Sequence, residues 1–168
     1  MAKGTGLTGT TKVVMSLANV NTIDLNALLD TLQIETGVDW TYGTGINQAN
    51  LLFHDSRSID DTGETLDLYT NAIAIKDAFG NAVTMEAIKL LYLKNTHATL
   101  VLEVFGNTSL DLLIMESTAD AVLIQPGGFF LWVAPTAAGI VTTTNEKLFI
   151  AAASTGTVTY DIVAMGLD

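Results

Sequence analysis

The chain has 168 residues, of which 49% are hydrophobic and 15% are charged, and this length suffices for one hydrophobic core without disulfides or metals. It contains no cysteine, which excludes disulfides, thiolate metal sites and a cysteine nucleophile. Its net charge of −11 would repel a phosphate backbone, so we expect no nucleic-acid partner.

The mean hydropathy of +0.41 is high for a protein that stays dissolved alone, which indicates that part of its apolar surface meets a protein partner. Acidic residues interrupt apolar runs such as residues 110–116 well before the ~20 residues that a membrane span needs, so no membrane partner is expected. The N-terminus shows no apolar stretch behind a basic region, and synthesis in a cytoplasm is expected.

The first predicted unit is a flexible N-terminal arm, residues 1–10, with three glycines, three threonines and little apolar surface. Such a segment is expected to become ordered only against a neighbouring molecule. Residues 11–168 are predicted to form one domain, whose first strand covers residues 11–17. Four leucines in residues 23–34 fit a helical stripe better than strand alternation, so a short helix or an irregular strand pair is expected there.

The rest of the chain predicts short strands separated by turn residues, eight to ten in all, which is typical of an all-β sandwich. Residues 85–94 form the strongest apolar segment. Their length also fits a helix, but a second apolar segment follows at hairpin spacing, which favours a central strand buried on both faces. Other strands are predicted at residues 38–42, 64–69, 98–105, 110–115, 121–124, 128–134, 147–152 and 157–165, and a further apolar run covers residues 51–55.

Candidate catalytic residues are few, because only His54 and His97 could serve as the base of a nucleophilic triad. His54 is followed by Asp55 and Ser56, but adjacent residues on a strand point to opposite faces. We therefore interpret His54 as a structural residue at a strand end and His97 as a solvated turn residue. The G-x-G-x-x-G pattern of residues 4–9 has no preceding strand, so it does not indicate a phosphate site.

Binding sites for metals or sugars are equally weakly indicated. Five acidic residues lie within residues 55–67, but their spacing lacks the pattern of a calcium loop, and we interpret the segment as an acidic solvated loop. Phe129, Phe130 and Trp132 could form a sugar-stacking platform, although aromatic residues in a strand are more often core. We predict no enzymatic activity, no catalytic residues, no metal and no cofactor.

Several segments in order resemble a family of small structural proteins of tailed bacteriophages. They are TGINQANLLFHDSR at residues 44–57, DAFGN at 77–81, IKLLYLKN at 88–95, QPGGFF at 125–130 and TVTYDIV at 157–163. The resemblance implies a jelly-roll-like β-sandwich, incorporation in the virion and no catalytic activity. It also implies a decoration or cement protein that binds the major capsid protein on the capsid exterior as a homotrimer, after synthesis in the host cytoplasm.

From this interpretation we expect the N-terminal arm, with Lys3 and Leu7, to contact the capsid together with Lys12, and the sandwich body to form the trimer. Two alternatives remain open. The first is a head-fibre or tail-associated module that binds host carbohydrate through an aromatic face, and the second is an enzyme such as a fragment of a depolymerase.

Overall fold

The computed structural model describes residues 6–23, 26–69, 75–106, 114, 120–143 and 147–168. The regular elements in these residues are all β-strands, so the predicted all-β class is confirmed. In the same residues, no helix has the length and apolar character needed to cross a membrane. The strands are β1 (Gly9–Ile23), β2 (Asn26–Tyr42), β3 (Gln48–Ala49), β4 (Leu51–Ile59), β5 (Glu64–Asp67), β6 (Ala87–Asn95), β7 (Leu102–Gly106), β8 (Ala121–Ile124), β9 (Phe129–Val133), β10 (Ile140–Val141), β11 (Lys147–Ala152) and β12 (Val158–Leu167).

Two antiparallel sheets form the body of the protein. Sheet I has the order β4-β12-β6, and β9 and β10 both pair with the second edge of β6. Sheet II has the order β5-β11-β7-β8. The main buried cluster takes side chains from both sheets, including Leu91 and Ile162 from sheet I and Leu66 and Ile150 from sheet II. The predicted β-sandwich is therefore confirmed. The strand predicted at residues 110–115 lies outside the described residues, apart from Ile114.

β6 is the central strand of sheet I, as the apolar segment at residues 85–94 predicts. It pairs with β12 on one edge and with β9 and β10 on the other. Leu91 and Leu93 belong to the main core, and Leu90 and Tyr92 belong to a second cluster on the outer face of the sheet. Because both faces of β6 are covered, its sequence is apolar at nearly every position.

A β-bulge interrupts the alternation of β6 at Lys89. Met165 of β12 pairs with Leu90, but the next residue, Gly166, pairs with Ile88, which leaves Lys89 as the extra residue. Ile88 consequently joins the main core. Simple alternation along the sequence predicts that Ile88 shares a face with Leu90, and this prediction is wrong because the bulge breaks the register.

β1 and β2 form a long antiparallel ribbon, here called the ribbon, which belongs to neither sheet of the sandwich. Its 15 residue pairs run from Gly9 opposite Trp40 to Ile23 opposite Asn26. At ~3.3 Å per residue, the ribbon is about 50 Å long. The boundary predicted between residues 10 and 11 falls inside β1, and the strands of the sandwich begin with β4.

The helix considered for residues 23–34 is wrong, since β1 and β2 cover all of them that the structure describes. A helical stripe contributes stability only when it is buried against a neighbour. Leu29 and Leu32 are both exposed, and on a strand their three-residue spacing places them on opposite faces. Continuous backbone pairing with β1 stabilises the extended conformation instead.

Candidate functional site

The ribbon is attached to the outer face of sheet I at its root. Trp40 of β2 is only 2% exposed and belongs to the same buried cluster as Leu90 and Met165. Its indole Nε1 donates a hydrogen bond of 2.9 Å to Thr11 Oγ1, which connects the two ribbon strands. Leu7 is half-buried and packs against this second cluster. An aromatic anchor thus holds the root of the ribbon on the sandwich.

A tight loop at residues 43–50 joins the root to sheet I. The Gly45 amide donates to Gln48 Oε1 at 2.8 Å, and β3 pairs in parallel with the end of β2. Gly43 has a φ of 146°, and a Cβ at this position would lie 2.4 Å from Gln48 Oε1. Glycine is therefore required there. The Asn50 amide donates to the Gly166 carbonyl at 3.1 Å, which fastens the loop to β12.

Beyond the root, one face of the ribbon displays four apolar side chains that we call the apolar stripe: Met15, Leu17, Leu32 and Ile34. Directly opposite residues of an antiparallel pair share a face, and here Met15 faces Ile34 and Leu17 faces Leu32. All four are exposed, and Leu17 is 58% exposed. The stripe is thus a continuous apolar surface in contact with solvent.

The opposite face of the ribbon carries a second apolar patch nearer its tip. Val20 lies opposite Leu29, and Leu29 is 65% exposed. A two-stranded hairpin is only marginally stable in water without a third element that covers it. Exposed apolar surfaces of this kind mark sites of interaction with other proteins. The ribbon is therefore the strongest candidate for a functional surface.

The apolar stripe itself contains no charged side chain. Lys12 and Glu35 lie on the opposite face of the ribbon. Lys12 Nζ lies 2.7 Å from Glu35 Oε1 there, an exposed ion pair that contributes at most about 1 kcal/mol. Asp30 lies on the side of the tip. Residues 13–18 and 31–34, which include the whole stripe, carry no charged side chain.

Of the three residues predicted to contact a capsid, two lie near the root of the ribbon. Leu7 packs on the second cluster, and Lys12 is exposed and paired with Glu35. Lys3 lies outside the described residues. Contact of these residues with a capsid stays a prediction.

The sequence His54-Asp55-Ser56 does not form a catalytic triad in the structure. Asp55 Oδ2 pairs with Arg57 Nη1 at 2.8 Å, and Ser56 Oγ donates to Asp161 Oδ1 at 2.7 Å. His54 lies on β4 opposite Val163 of β12. The three consecutive residues thus have three different sets of neighbours.

His97 has a structural role in the turn that follows β6. Its Nδ1 accepts hydrogen bonds from the amides of Thr99 at 3.1 Å and Leu100 at 2.8 Å. The neighbouring Asn95 is fully buried and donates to the carbonyls of Leu100 and Ile124. His97 is half-buried rather than simply solvated, because it caps this turn.

Arg57, Glu64 and Tyr160 form a polar network that connects the two sheets, and no motif in the sequence indicates it. Arg57 Nε donates to Glu64 Oε1 at 2.9 Å, and the Tyr160 hydroxyl donates to the same oxygen at 2.5 Å. Burial, together with the hydrogen bond to Glu64, raises the pKa of Tyr160 well above its usual range. The hydrogen bond to Glu64 likewise raises the pKa of Arg57. The network therefore keeps a protonated tyrosine and a charged arginine around one carboxylate.

The acidic residues at positions 55–67 do not converge on one site. Asp55 and Glu64 both pair with Arg57, whereas Asp60 and Asp67 each accept hydrogen bonds in a turn of their own. Asp60 accepts hydrogen bonds from the Thr62 side chain and amide, and these bonds lower the pKa of Asp60. Asp67 is buried and accepts a hydrogen bond from the Tyr69 amide at 3.2 Å. Within the described residues, no group of three or more His, Cys, Asp or Glu side chains could hold a metal ion.

The aromatic residues of β9 do not form one platform, because they alternate between faces. Phe130 and Trp132 pack against the main core, whereas Phe129 is 62% exposed on the outer face of sheet I. The Phe129 ring lies 6.0 Å from the Tyr92 ring, centroid to centroid. Both rings line a largely apolar groove of about 570 Å³ beside Trp40 at the root of the ribbon.

Lys89 is a buried cation at the β-bulge of β6. Its Nζ donates to the Gly45 carbonyl at 2.6 Å, and the loss of hydration on burial lowers the pKa of Lys89. The contact joins the centre of sheet I to the loop that anchors the ribbon, so we interpret it as a structural contact.

Across the described residues, the exposed apolar ribbon is the feature that the stability of the sandwich does not explain. The sequence pattern does not predict that the residues of the apolar stripe are exposed, because residues 11–17 also fit a strand of the sandwich. One signal was present, since the opposed pairs are placed symmetrically about residues 24 and 25.

Comparison with known proteins found no matching family model, no matching curated protein and no matching solved structure.

Proposed function

We propose that this chain is a structural protein of a bacteriophage virion that decorates the capsid exterior as a cement protein and has no enzymatic activity. The observation that carries the proposal is the exposed apolar ribbon, because a protein that displays such a surface acts by binding other protein subunits. The phage context comes from the resemblance of residues 44–57 and the later segments to virion proteins. The major capsid protein is the proposed partner.

We also infer a jelly-roll arrangement of the sandwich. The strand orders β4-β12-β6-β9 and β5-β11-β7-β8 support this arrangement. The chain passes repeatedly between the two sheets, and the last strand, β12, pairs with β4, the first strand of the body. Eight strands in two such sheets are typical of jelly rolls, which occur in capsid domains. A sandwich of this type leaves its loops and outer faces available to neighbouring subunits.

The capsid contact is proposed to involve the N-terminal arm together with Lys12. The position of Leu7 and Lys12 near the root of the ribbon supports this proposal, because it groups two of the three proposed contact residues on one region of the protein. The positive charges of Lys3 and Lys12 would face acidic groups on a capsid subunit, and the long-range attraction would weaken as salt is raised.

The test is binding of the purified protein to phage capsids that lack it, measured by co-sedimentation and by imaging of the decorated particles. We expect additional density at the three-fold positions of the capsid. The double variant K3Q/K12Q should bind more weakly, whereas K76Q/K94Q, which removes two exposed lysines elsewhere, should bind like the parent protein. Density at the neck or tail, or equal binding by K3Q/K12Q and K76Q/K94Q, would contradict this assignment.

The groove beside Phe129 favours one alternative, a head-fibre or tail-associated module that binds carbohydrate. An exposed aromatic ring next to Tyr92 provides an apolar surface on which a sugar ring can stack. Binding of the isolated protein to host surface glycans, and its loss in F129A, would support this alternative. Absence of glycan binding would remove it.

A further inference from the structure

In the part of the chain that the structure describes, β1 is an edge strand. It pairs with β2 on one side, and no described strand pairs with its other side. In an antiparallel ladder, every second residue of β1 directs its N–H and C=O groups away from β2. A row of such backbone groups is a template on which a further strand can pair.

The groove beside Trp40 runs along this open edge of β1. Eight consecutive residues, 7–14, line the groove together with Trp40 of β2. Because consecutive residues of a strand point to opposite faces, a space that touches all of them follows the backbone edge of β1 and not one of its faces. The outer face of sheet I forms the floor of the groove through Leu90, Tyr92, Phe129, Leu131, Val163 and Met165.

The length of the groove fits a short strand. The residues of β1 that line it, 9–14, extend over about 20 Å at ~3.3 Å per residue, and strands of about six residues are common in proteins. A strand added to β1 here would direct every second side chain onto the apolar floor. The Tyr92 and Phe129 rings, with centroids 6.0 Å apart, would pack against these side chains.

Charge favours the edge of β1 over the edge of β2. β2 carries three acidic residues, Asp30, Glu35 and Asp39, and charges of this kind protect an edge from pairing. β1 carries one charged residue, Lys12, whose Nζ lies 2.7 Å from Glu35 Oε1 of β2. The Lys12 side chain thus points across the ribbon, which leaves the open edge of β1 clear.

The net charge also indicates the kind of partner. Each copy of the chain has a net charge of −11, so pairing with a second copy would bring two acidic proteins together. A neutral or basic segment of another protein meets no such repulsion. The apolar floor requires apolar side chains at alternate positions of that segment.

We infer that the groove binds an extended segment of a capsid subunit, which adds as a strand to the open edge of β1 and packs alternate apolar side chains on sheet I. The inference deepens the proposed function and rests on it for the source of the segment. It assigns the recognition to the backbone of β1 and to the groove floor, in addition to the charges of the N-terminal arm.

The first test uses overlapping synthetic peptides that cover the major capsid protein, with binding to the full chain measured by fluorescence anisotropy. We expect at least one peptide to bind, and F129A to weaken its binding ~10-fold or more, because Phe129 is an aromatic anchor on the groove floor. The control is F79A, because Phe79 is also exposed but lies outside this groove. Equal binding by F129A and F79A, or no binding of any peptide, would overturn the inference.

A second test measures the contribution of the backbone. Two versions of the bound peptide carry N-methyl groups on alternate residues, at odd positions in one and at even positions in the other. One set of amides faces β1, so one version should bind ~10-fold or more weakly and the other like the unmodified peptide. An equal effect of the two versions would contradict strand addition.

Hydrogen exchange locates the contact on the protein. The amides of residues 9–14 should gain protection when the peptide is added. Protection of these amides by a host glycan and not by any peptide would refute the inference, and so would protection by self-association of the chain alone.

The two proposals fail separately. Peptide binding in the groove without binding of intact capsids contradicts the proposed function and leaves this inference intact. Capsid binding that leaves the amides of residues 9–14 unprotected has the opposite meaning.

Discussion

Replacement of Tyr160 by phenylalanine removes one hydroxyl group from the network that connects the two sheets. The aromatic ring is fully buried and keeps its packing, so the change is confined to the hydrogen bond that the hydroxyl donates to Glu64 Oε1. Glu64 keeps its hydrogen bonds from Arg57, including the one from Nε at 2.9 Å. The variant therefore isolates one charge-assisted hydrogen bond between sheet I and sheet II.

The expected loss follows from the charge of the acceptor. A hydrogen bond to a charged group contributes about 1.5–3 kcal/mol, and leaving such a group without any donor costs more. Because Arg57 still donates to the same oxygen, the carboxylate is not left unpaired. We expect Y160F to lower the free energy of unfolding by about 1.5–2 kcal/mol near neutral pH.

The difference between the two proteins should depend on pH in a defined direction. Burial and the hydrogen bond to Glu64 raise the pKa of Tyr160 in the folded state, whereas an unfolded tyrosine ionises at about pH 10. Stability from Tyr160 is thus fully present below about pH 10 and falls by about 1.4 kcal/mol per pH unit above it. By about pH 11, the advantage of the parent protein over Y160F should be nearly lost.

Urea unfolding of both proteins, followed by circular dichroism between neutral pH and about pH 11, measures this difference. The other three tyrosines occur in both proteins, so their ionisation cancels in the comparison. A stability difference that stays constant or grows above about pH 10 would refute the reasoning, because the folded Tyr160 would then ionise as easily as the unfolded one.

Two further predictions concern the root of the ribbon. W40A should destabilise the docking of the ribbon by about 3–5 kcal/mol, because it removes a side chain that is only 2% exposed. Hydrogen exchange should then show loss of protection in β1 and β2 while β6 stays protected. K89M should raise the free energy of unfolding by about 1 kcal/mol, because it removes a poorly hydrated cation and keeps the packing. A lower midpoint for K89M in urea would show instead that the bond from Lys89 to the Gly45 carbonyl outweighs the cost of burial.

The body of the protein could be predicted largely from local patterns. Residues 85–94 are apolar on both faces, as expected of a central strand that is covered on both sides. Residues 147–152 and 157–165 also correspond to observed strands, β11 and β12. These predictions succeed because burial against a core imposes its period directly on the sequence.

The ribbon and the bulge could not be predicted in the same way. Leu29 and Leu32 are exposed, so no core imposes a strand period on them, and they keep a spacing that a helix would also produce. The bulge at Lys89 depends on the register between β6 and β12, which lie far apart in sequence. Side-chain period alone contains no information about such an insertion.

The loop at residues 43–50 connects these observations. Gly43 and Gln48 shape the loop, and the Gly45 carbonyl accepts the bond from Lys89 at the bulge. The loop overlaps the segment TGINQANLLFHDSR, the first of the segments on which the proposal of a phage protein rests. The hydrogen bonds of this loop serve to attach the ribbon, since the loop joins the end of β2 to sheet I. The segment therefore explains how the ribbon is attached to the sandwich.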